Sequence, residues 1–105
     1  MNETHARLAE ADSAHMRRAI QLALEAEARG DLPVGSIVTL NNEVVAEAGN
    51  AVLVPSYHPG RHAETEALRL VPEGLWPRSR EMTVYTTLFR SGFLRASKII
   101  ARGIR

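Results

Sequence analysis

The sequence predicts one layered α/β domain in which helices cover a small sheet. The chain has 105 residues, which is the length of a single small domain. Apolar residues recur at helical spacing near the N-terminus, whereas later segments are short and rich in β-branched residues. These segments follow in the order helix, hairpin, helix, strand and a last helix, which is typical of a layered α/β domain.

The first helix is predicted over residues 14–29, after a flexible tail over residues 1–13. The tail is small and polar, and it ends at Asp12 and Ser13, which are good helix caps. The apolar residues at helical spacing are Met16, Ala19, Ile20, Ala23 and Leu24. Gly30 and Pro33 end the helix.

Two strands are predicted next, over residues 34–40 and 43–48. Asn41-Asn42 lies between them, and asparagine tolerates the positive φ of a tight hairpin turn. Both strands are largely apolar, so we expect them to be covered on both faces.

Residues 51–60 are predicted to form a loop, because they contain Pro55, Pro59 and Gly60. A short helix follows, from residue 61 or 62 to residue 70. Its candidate buried residues are Ala63, Ala67, Leu68 and Leu70.

The C-terminal part is predicted to contain a strand and a helix. Residues 82–88 are β-branched and aromatic, as in a strand. The apolar residues Phe93, Leu94, Ala96, Ile99 and Ile100 favour a helix over residues 93–100, capped by Ser91.

Composition excludes several classes of protein. The sequence has no cysteine, which removes disulfides and thiolate chemistry and is compatible with the cytoplasm. It has no apolar run near the ~20 residues of a membrane span, so we expect no membrane association. Residues 78–105 hold 7 Lys or Arg against Glu81 alone. Because few aromatic residues lie among these charges, we interpret the segment as a solvated basic surface rather than a nucleic-acid site.

The segment with the clearest chemical potential runs from Pro59 to Glu64. A Pro-Gly turn leads into the second helix, so His62 and Glu64 fall in its first turn, where unsatisfied N–H groups gather. There an imidazole could hold a metal beside a carboxylate, and the N–H of Ala63 could face a substrate oxygen. By itself, this spacing is more typical of a solvated helix face.

Four motifs in order resemble the cytidine and deoxycytidylate deaminase family. Pro33-Val34-Gly35 enters the first strand, Asn50 follows the second, a proline precedes His62-Ala63-Glu64, and a strand ends in Thr87-Leu88. The likeness covers about residues 15–88 and is strongest to tRNA adenosine, guanine and cytosine deaminases. It implies a three-layer helix/sheet/helix fold.

The resemblance also implies roles for four residues. His62 corresponds to the family's zinc ligand, and Glu64 to its proton-shuttling glutamate. Asn50 corresponds to an asparagine that binds the substrate, beside Ala63. In the family, zinc lowers the pKa of bound water, and the hydroxide attacks an amino-bearing ring carbon. The expected partners are a nucleobase, a nucleoside or tRNA, and a second copy in a homodimer.

The second half of the family signature, Pro-Cys-x-x-Cys, is missing. Ser91 and Leu94 stand at the two cysteine positions. A catalytic zinc needs three protein ligands, and His62 is the single match. His58 lies four residues earlier, but Pro59-Gly60 prevent a continuous helix between the two imidazoles. We therefore expect weak or absent zinc binding and no deamination.

Several interpretations stay open at this stage. The missing motif could reflect a non-catalytic relative, a gene fragment or frameshift, or foreign adapter sequence entered within residues 85–91. The chain could be an inactive deaminase domain, a nucleobase-binding module around Asn50, Ala63 and Glu64, or an unrelated α/β domain. We divide it into a tail over residues 1–13, a deaminase-like domain over 14–88 and an unmatched basic segment over 89–105. The domain is expected to be C-terminally truncated, with an unpaired sheet edge.

Overall fold

A computed structural model describes the backbone of residues 3–90 and 93–100, and the side chains of residues 10–87. It contains two α-helices, a 3₁₀ segment and four strands. In chain order these are α1 (Glu3–Ala28), β1 (Gly35–Leu40), β2 (Glu43–Gly49), α2 (Ala63–Arg69), the 3₁₀ segment Glu73–Glu81, β3 (Met82–Arg90) and β4 (Phe93–Ile100). The predicted hairpin, second helix and third strand are each confirmed to within about two residues of their ends.

The four strands form one antiparallel sheet in the order β2-β1-β3-β4. The β1–β2 turn contains Asn41 and Asn42, with φ values of 51° and 66°. Positive φ at both turn residues twists the hairpin in the same sense as the sheet, as in a type I′ turn. The predicted turn is therefore confirmed.

Helices cover both faces of the sheet, as expected for a three-layer domain. On one face α1 packs through Ala19 and Leu22 against Ile37 and Tyr85. On the other face α2 belongs to a cluster formed by Val38, Leu40, Ala46, Ala67, Val71, Met82 and Val84. Consecutive strand residues point to opposite faces, so β1 and β3 each contribute to both clusters.

Helix α1 is longer than the sequence analysis predicted. It begins at Glu3, so residues 3–13 are helical and not a frayed tail. Ala and Leu in this segment favour a helix, and the Tyr85 hydroxyl donates a hydrogen bond of 2.5 Å to Asp12 Oδ1. Asp12 therefore joins α1 to β3 and does not cap the helix start.

The predicted helix over residues 93–100 is wrong, because this segment forms strand β4. It pairs with β3 from Thr83 opposite Ile100 to Arg90 opposite Phe93. A short apolar run fits both periodicities, and pairing with β3 selects the strand. Ser91, the predicted cap, lies outside the described residues.

Burial of the hairpin strands also differs from expectation. Strand β1 is buried along its whole length, as predicted. Strand β2 is buried only at Ala46, and Val44 is 44% exposed. The two strands differ in burial because β2 is an outer strand of the sheet, whereas β1 lies between two neighbours.

In the described part of the chain, no helix is both long and apolar enough to cross a membrane.

Candidate functional site

The loop between β2 and α2 brings the predicted site residues together. Asn50 N donates to the Val34 carbonyl at 2.9 Å, and Ala51 N donates to the Arg61 carbonyl at 3.0 Å. The second bond closes the loop, so its two ends lie side by side. As a result, Asn50 at the end of β2 lies next to the residues that open α2.

Asn50 is the buried centre of this arrangement and is only 1% exposed. Its Oδ1 accepts a hydrogen bond from Ala63 N at 3.1 Å, and its Nδ2 donates to Asp31 Oδ1 at 2.9 Å. The Ala63 N–H, which the sequence analysis aimed at a substrate oxygen, is thus bonded to Asn50. One Nδ2 hydrogen and one Oδ1 lone pair of Asn50 remain beyond these two bonds.

His62 and Glu64 lie on either side of Ala63 at the start of α2. His62 occupies the N-cap position with extended backbone (φ −69°, ψ 156°), and its side chain makes no capping hydrogen bond. Its side chain is exposed, and Glu64 is half-buried. Thr65 Oγ1 lies 2.8 Å from the His62 carbonyl and fixes the turn. The structure therefore presents an imidazole and a carboxylate at one helix end.

Asp31 is a buried carboxylate that the sequence analysis did not select. Its Oδ1 accepts from Leu32 N and the Asn50 amide, each at 2.9 Å, and its Oδ2 accepts from Leu53 N at 2.9 Å and Val54 N at 3.0 Å. Burial alone would raise its pKa, but these four donors favour the ionised form and lower the pKa to about 2. The signal in the sequence that could have identified Asp31 is its position as an acidic residue between Gly30 and Pro33, where the first helix ends.

Glu66 is a second buried carboxylate that was missed. It lies one turn into α2 and accepts hydrogen bonds from Arg61 Nη2 at 2.7 Å and Arg61 Nε at 3.0 Å. The hydrogen bonds from Arg61, assisted by Arg69, lower the pKa of Glu66 against the opposing effect of burial. This pair fixes Arg61, the residue before His62.

The described side chains do not form a three-ligand metal site. Among residues 10–87, no group of three His, Cys, Asp or Glu side chains is placed to hold a metal ion. The whole sequence lacks cysteine. Of the two cysteine positions in the family signature, Leu94 falls in β4 and Ser91 lies outside the described residues. Among the described side chains, His62 is the residue that the family resemblance matches to a zinc ligand.

Comparison with known proteins identifies the family. The family model described as the cytidine and deoxycytidylate deaminase zinc-binding region matches residues 9–89. A tRNA-specific adenosine deaminase of Bacillus subtilis (strain 168) is 33% identical over an alignment of 81 residues that covers 73% of this chain and 48% of that protein. The tRNA-specific adenosine deaminase 2 of Danio rerio is 38% identical over 66 residues, 63% of this chain and 29% of that protein. The chain spans less than half the length of these curated relatives.

Solved structures agree with the sequence relatives. One, from a study of A-to-I editing by tRNA:A34 deaminases at the wobble position of tRNA, superposes with a TM-score of 0.61 and 27% identity over 74% of this chain and 60% of that chain. Guanine deaminase from Bacillus subtilis gives a TM-score of 0.61 and 26% identity, over 82% of this chain and 50% of that chain. An α/β domain unrelated to deaminases is thus excluded. The chain belongs to the cytidine and deoxycytidylate deaminase family, and the relatives and solved structures that it resembles include tRNA adenosine deaminases and a guanine deaminase.

Proposed function

We propose that this chain is a nucleobase-recognising domain of the deaminase family that does not deaminate its ligand as the sequence stands. The observation that carries the proposal is the donor set at the start of α2. His62 is one ligand where a catalytic zinc needs three, and the described side chains supply no second and third. This donor set does not support a zinc-dependent catalytic step.

Recognition of a base is supported by what the site retains. Asn50 holds the Ala63 end of α2, and Glu64 stands half-buried in the first turn. A carboxylate accepts hydrogen bonds from the exocyclic amino groups of bases. We therefore assign Glu64 to the amino group of an adenine, guanine or cytosine ring. A direct contact between Asn50 and the ligand, through its remaining Nδ2 hydrogen, stays part of the proposal.

The loss of catalysis is tested by zinc content and turnover. The chain is purified with zinc supplied, and its metal is measured by elemental analysis and native mass spectrometry. We expect well under one zinc per chain. We also expect no ammonia release from cytosine, cytidine, guanine or adenosine in a stem-loop RNA, with an intact zinc deaminase as positive control. One tightly held zinc per chain, or ammonia release that Glu64→Ala abolishes, would refute the proposal.

Binding is tested separately from turnover. Guanine, adenosine and cytidine are titrated by calorimetry against the chain, Glu64→Gln and the matched control Glu73→Gln, which changes an exposed carboxylate on the 3₁₀ segment. Loss of a charged acceptor should weaken binding by about ten-fold, equivalent to ~1.4 kcal/mol. The control should bind as the unmodified chain does. No binding of any probe would remove the recognition half of the proposal.

The second candidate is that residues 89–105 do not represent the native continuation of an active deaminase. The family match ends at residue 89, where Pro-Cys-x-x-Cys would follow. Amplifying and re-reading the source locus past Leu88 decides between the two. An uninterrupted Pro-Cys-x-x-Cys there supports the active deaminase, whereas the same Phe-Arg-Ser reading supports the inactive domain.

Three further parts of the proposal concern the setting of the domain. The relatives are named for tRNA, so a structured RNA is the proposed macromolecular partner. A homodimer and a cytoplasmic location come from the family resemblance and the absence of cysteine. Light scattering after size exclusion gives the oligomeric state directly.

A further inference from the structure

The carboxylate of Asp31 reaches the candidate site through a single side chain, the amide of Asn50. It is 5% exposed and bonds to three backbone N–H groups and to the Asn50 amide. We propose that Asp31 is a positioning residue, whose carboxylate fixes the orientation of Asn50 and, through it, the start of α2. The effect on ligand binding rests on the proposed function, whereas the effect on α2 does not.

The orientation of the Asn50 amide follows from whether each neighbouring group donates or accepts hydrogen bonds. An ionised carboxylate only accepts hydrogen bonds, so the Asn50 group that faces Asp31 must be the NH₂ group. The Ala63 N–H only donates, so the group that faces it must be the carbonyl oxygen. If the amide were reversed, oxygen would face oxygen at Asp31 and two donors would meet at Ala63. The charge at position 31 therefore selects one of the two amide orientations.

The orientation of the Asn50 amide affects the predicted site through one hydrogen bond, from Ala63 N to Asn50 Oδ1. Ala63 N is one of the N–H groups at a helix start that have no partner within the helix. Asn50 Oδ1 satisfies it at 3.1 Å, and His62 and Glu64 are its neighbours in sequence. Turning the Asn50 amide would leave that N–H unpaired in a buried place and would release the first turn of α2.

The same carboxylate also ties the loop to the site. Its Oδ2 holds the N–H groups of Leu53 and Val54, so the α1–β1 connection, the β2–α2 loop and the α2 start meet at Asp31. Its low pKa keeps it ionised at neutral pH, which the orientation of Asn50 requires.

A double-mutant cycle tests the proposal. Asp31→Asn, Asn50→Ala and the double variant are compared with the full chain, with Glu73→Gln as control. The first readout is hydrogen exchange of the Ala63 amide, which needs no ligand. Asp31→Asn should speed this exchange by about ten-fold or more. In the Asn50→Ala background it should change the exchange by less than about two-fold, because the effect passes through Asn50.

The second readout is the affinity for the probes guanine and adenosine. The same non-additive pattern is expected, with Asp31→Asn weakening binding only where Asn50 is present. Equal effects of Asp31→Asn in both backgrounds, in exchange or in affinity, would show a general packing role and overturn the proposal. If the unmodified chain binds no probe, the proposed function fails, while the exchange cycle still decides the role of Asp31.

A measurement on the unmodified chain covers the case in which Asp31→Asn fails to fold. NMR should then show slow exchange of one Asn50 side-chain NH₂ hydrogen at neutral pH. As the pH is lowered, the Ala63 and Asn50 signals should shift together with the titration of the Asp31 carboxyl. Fast exchange of both Asn50 hydrogens, or titration of Asp31 without any shift at Ala63, would overturn the proposal.

Discussion

At the scale of single residues, the buried Asp31 carboxylate makes stability depend on pH. Its folded pKa is about 2, below the ~3.9 of an unfolded aspartate. The stabilisation is therefore fully present above the unfolded pKa and is lost as the pH falls towards the folded pKa. We expect about 2 kcal/mol of unfolding free energy to disappear between roughly pH 5 and pH 2 through this group.

Urea denaturation at pH 7 and pH 3 measures this dependence. Asp31→Asn cannot ionise, so its unfolding free energy should fall less between the two pH values than that of the unmodified chain. Equal falls in the two proteins would contradict the assignment of the low pKa to Asp31.

Two glutamate–arginine pairs offer a matched comparison of a buried and an exposed ion pair. Glu66 has a side chain 9% exposed, and its bond to Arg61 is 2.7 Å; Glu81 is 49% exposed and bonds to Arg78 at 2.8 Å. Glu66→Gln should cost about 1–2 kcal/mol of unfolding free energy, because a buried charged acceptor is lost. Glu81→Gln should cost less than about 0.5 kcal/mol. Thermal and urea unfolding of the two variants measure these losses of unfolding free energy. Equal losses would show that burial of the glutamate does not determine what the ion pair contributes to stability.

The residue types that carry recognisable chemistry could be selected from the sequence, and the residues that position them could not. The spacing His62-Ala63-Glu64 is local, so it can be read directly from the chain. The partners that stabilise these buried carboxylates are distant in sequence or lie outside the same helix. Asp31 accepts hydrogen bonds from the N–H groups of Leu53 and Val54, and Glu66 accepts them from Arg61. Acidic residues are normally exposed, so no local pattern predicts such burial.

At the scale of elements, the contact between α1 and β1 depends on a glycine. A Cβ at Gly35 would overlap the Ala19 carbonyl oxygen and crowd Ala23 N at 2.7 Å, and both atoms belong to the backbone of α1. Gly35→Ala should therefore push the helix from the sheet and cost about 3 kcal/mol or more. Gly74→Ala is the control, since nothing lies within 4 Å of a Cβ there.

Circular dichroism and urea midpoints compare the two glycine variants. Similar urea midpoints for Gly35→Ala and Gly74→Ala would show that α1 moves away from β1 without loss of stability. That result would contradict the prediction that the close contact between Gly35 and α1 requires a glycine.

Elements with a strong local pattern were predicted well, whereas those decided by pairing were not. Strand β3 is β-branched and aromatic, and apolar residues recur at helical spacing between Met16 and Leu24, so β3 and this part of α1 follow from their own sequence. The start of α1 at Glu3 did not follow from such a pattern. The segment Phe93–Ile100 has a short apolar run, and its partner strand β3 makes it a strand. Strand β2 was expected to be buried like β1, but the sheet order leaves it at an edge.

At the scale of the whole molecule, apolar packing and hydrogen bonds join the core to the site. One apolar cluster lies on each face of the sheet, and the Asp31–Asn50–Ala63 bonds join α2 to the loops. In a protein whose fold includes a bound metal, the binding free energy adds to stability, and a chelator removes it. The donor set described here predicts no such contribution.

We therefore expect EDTA to leave the thermal midpoint of this chain unchanged to within about 1 °C, because the described side chains offer no three-ligand metal site. The melt is followed by circular dichroism with and without EDTA, and then with added Zn²⁺ or Mg²⁺. His62→Ala should behave as the unmodified chain does in all these conditions, since a single imidazole does not make a tight zinc site. A midpoint that EDTA lowers by several degrees and that Zn²⁺, but not Mg²⁺, restores would show that the chain holds zinc through ligands that include residues outside the described side chains. Loss of that response in His62→Ala would then place His62 among the ligands.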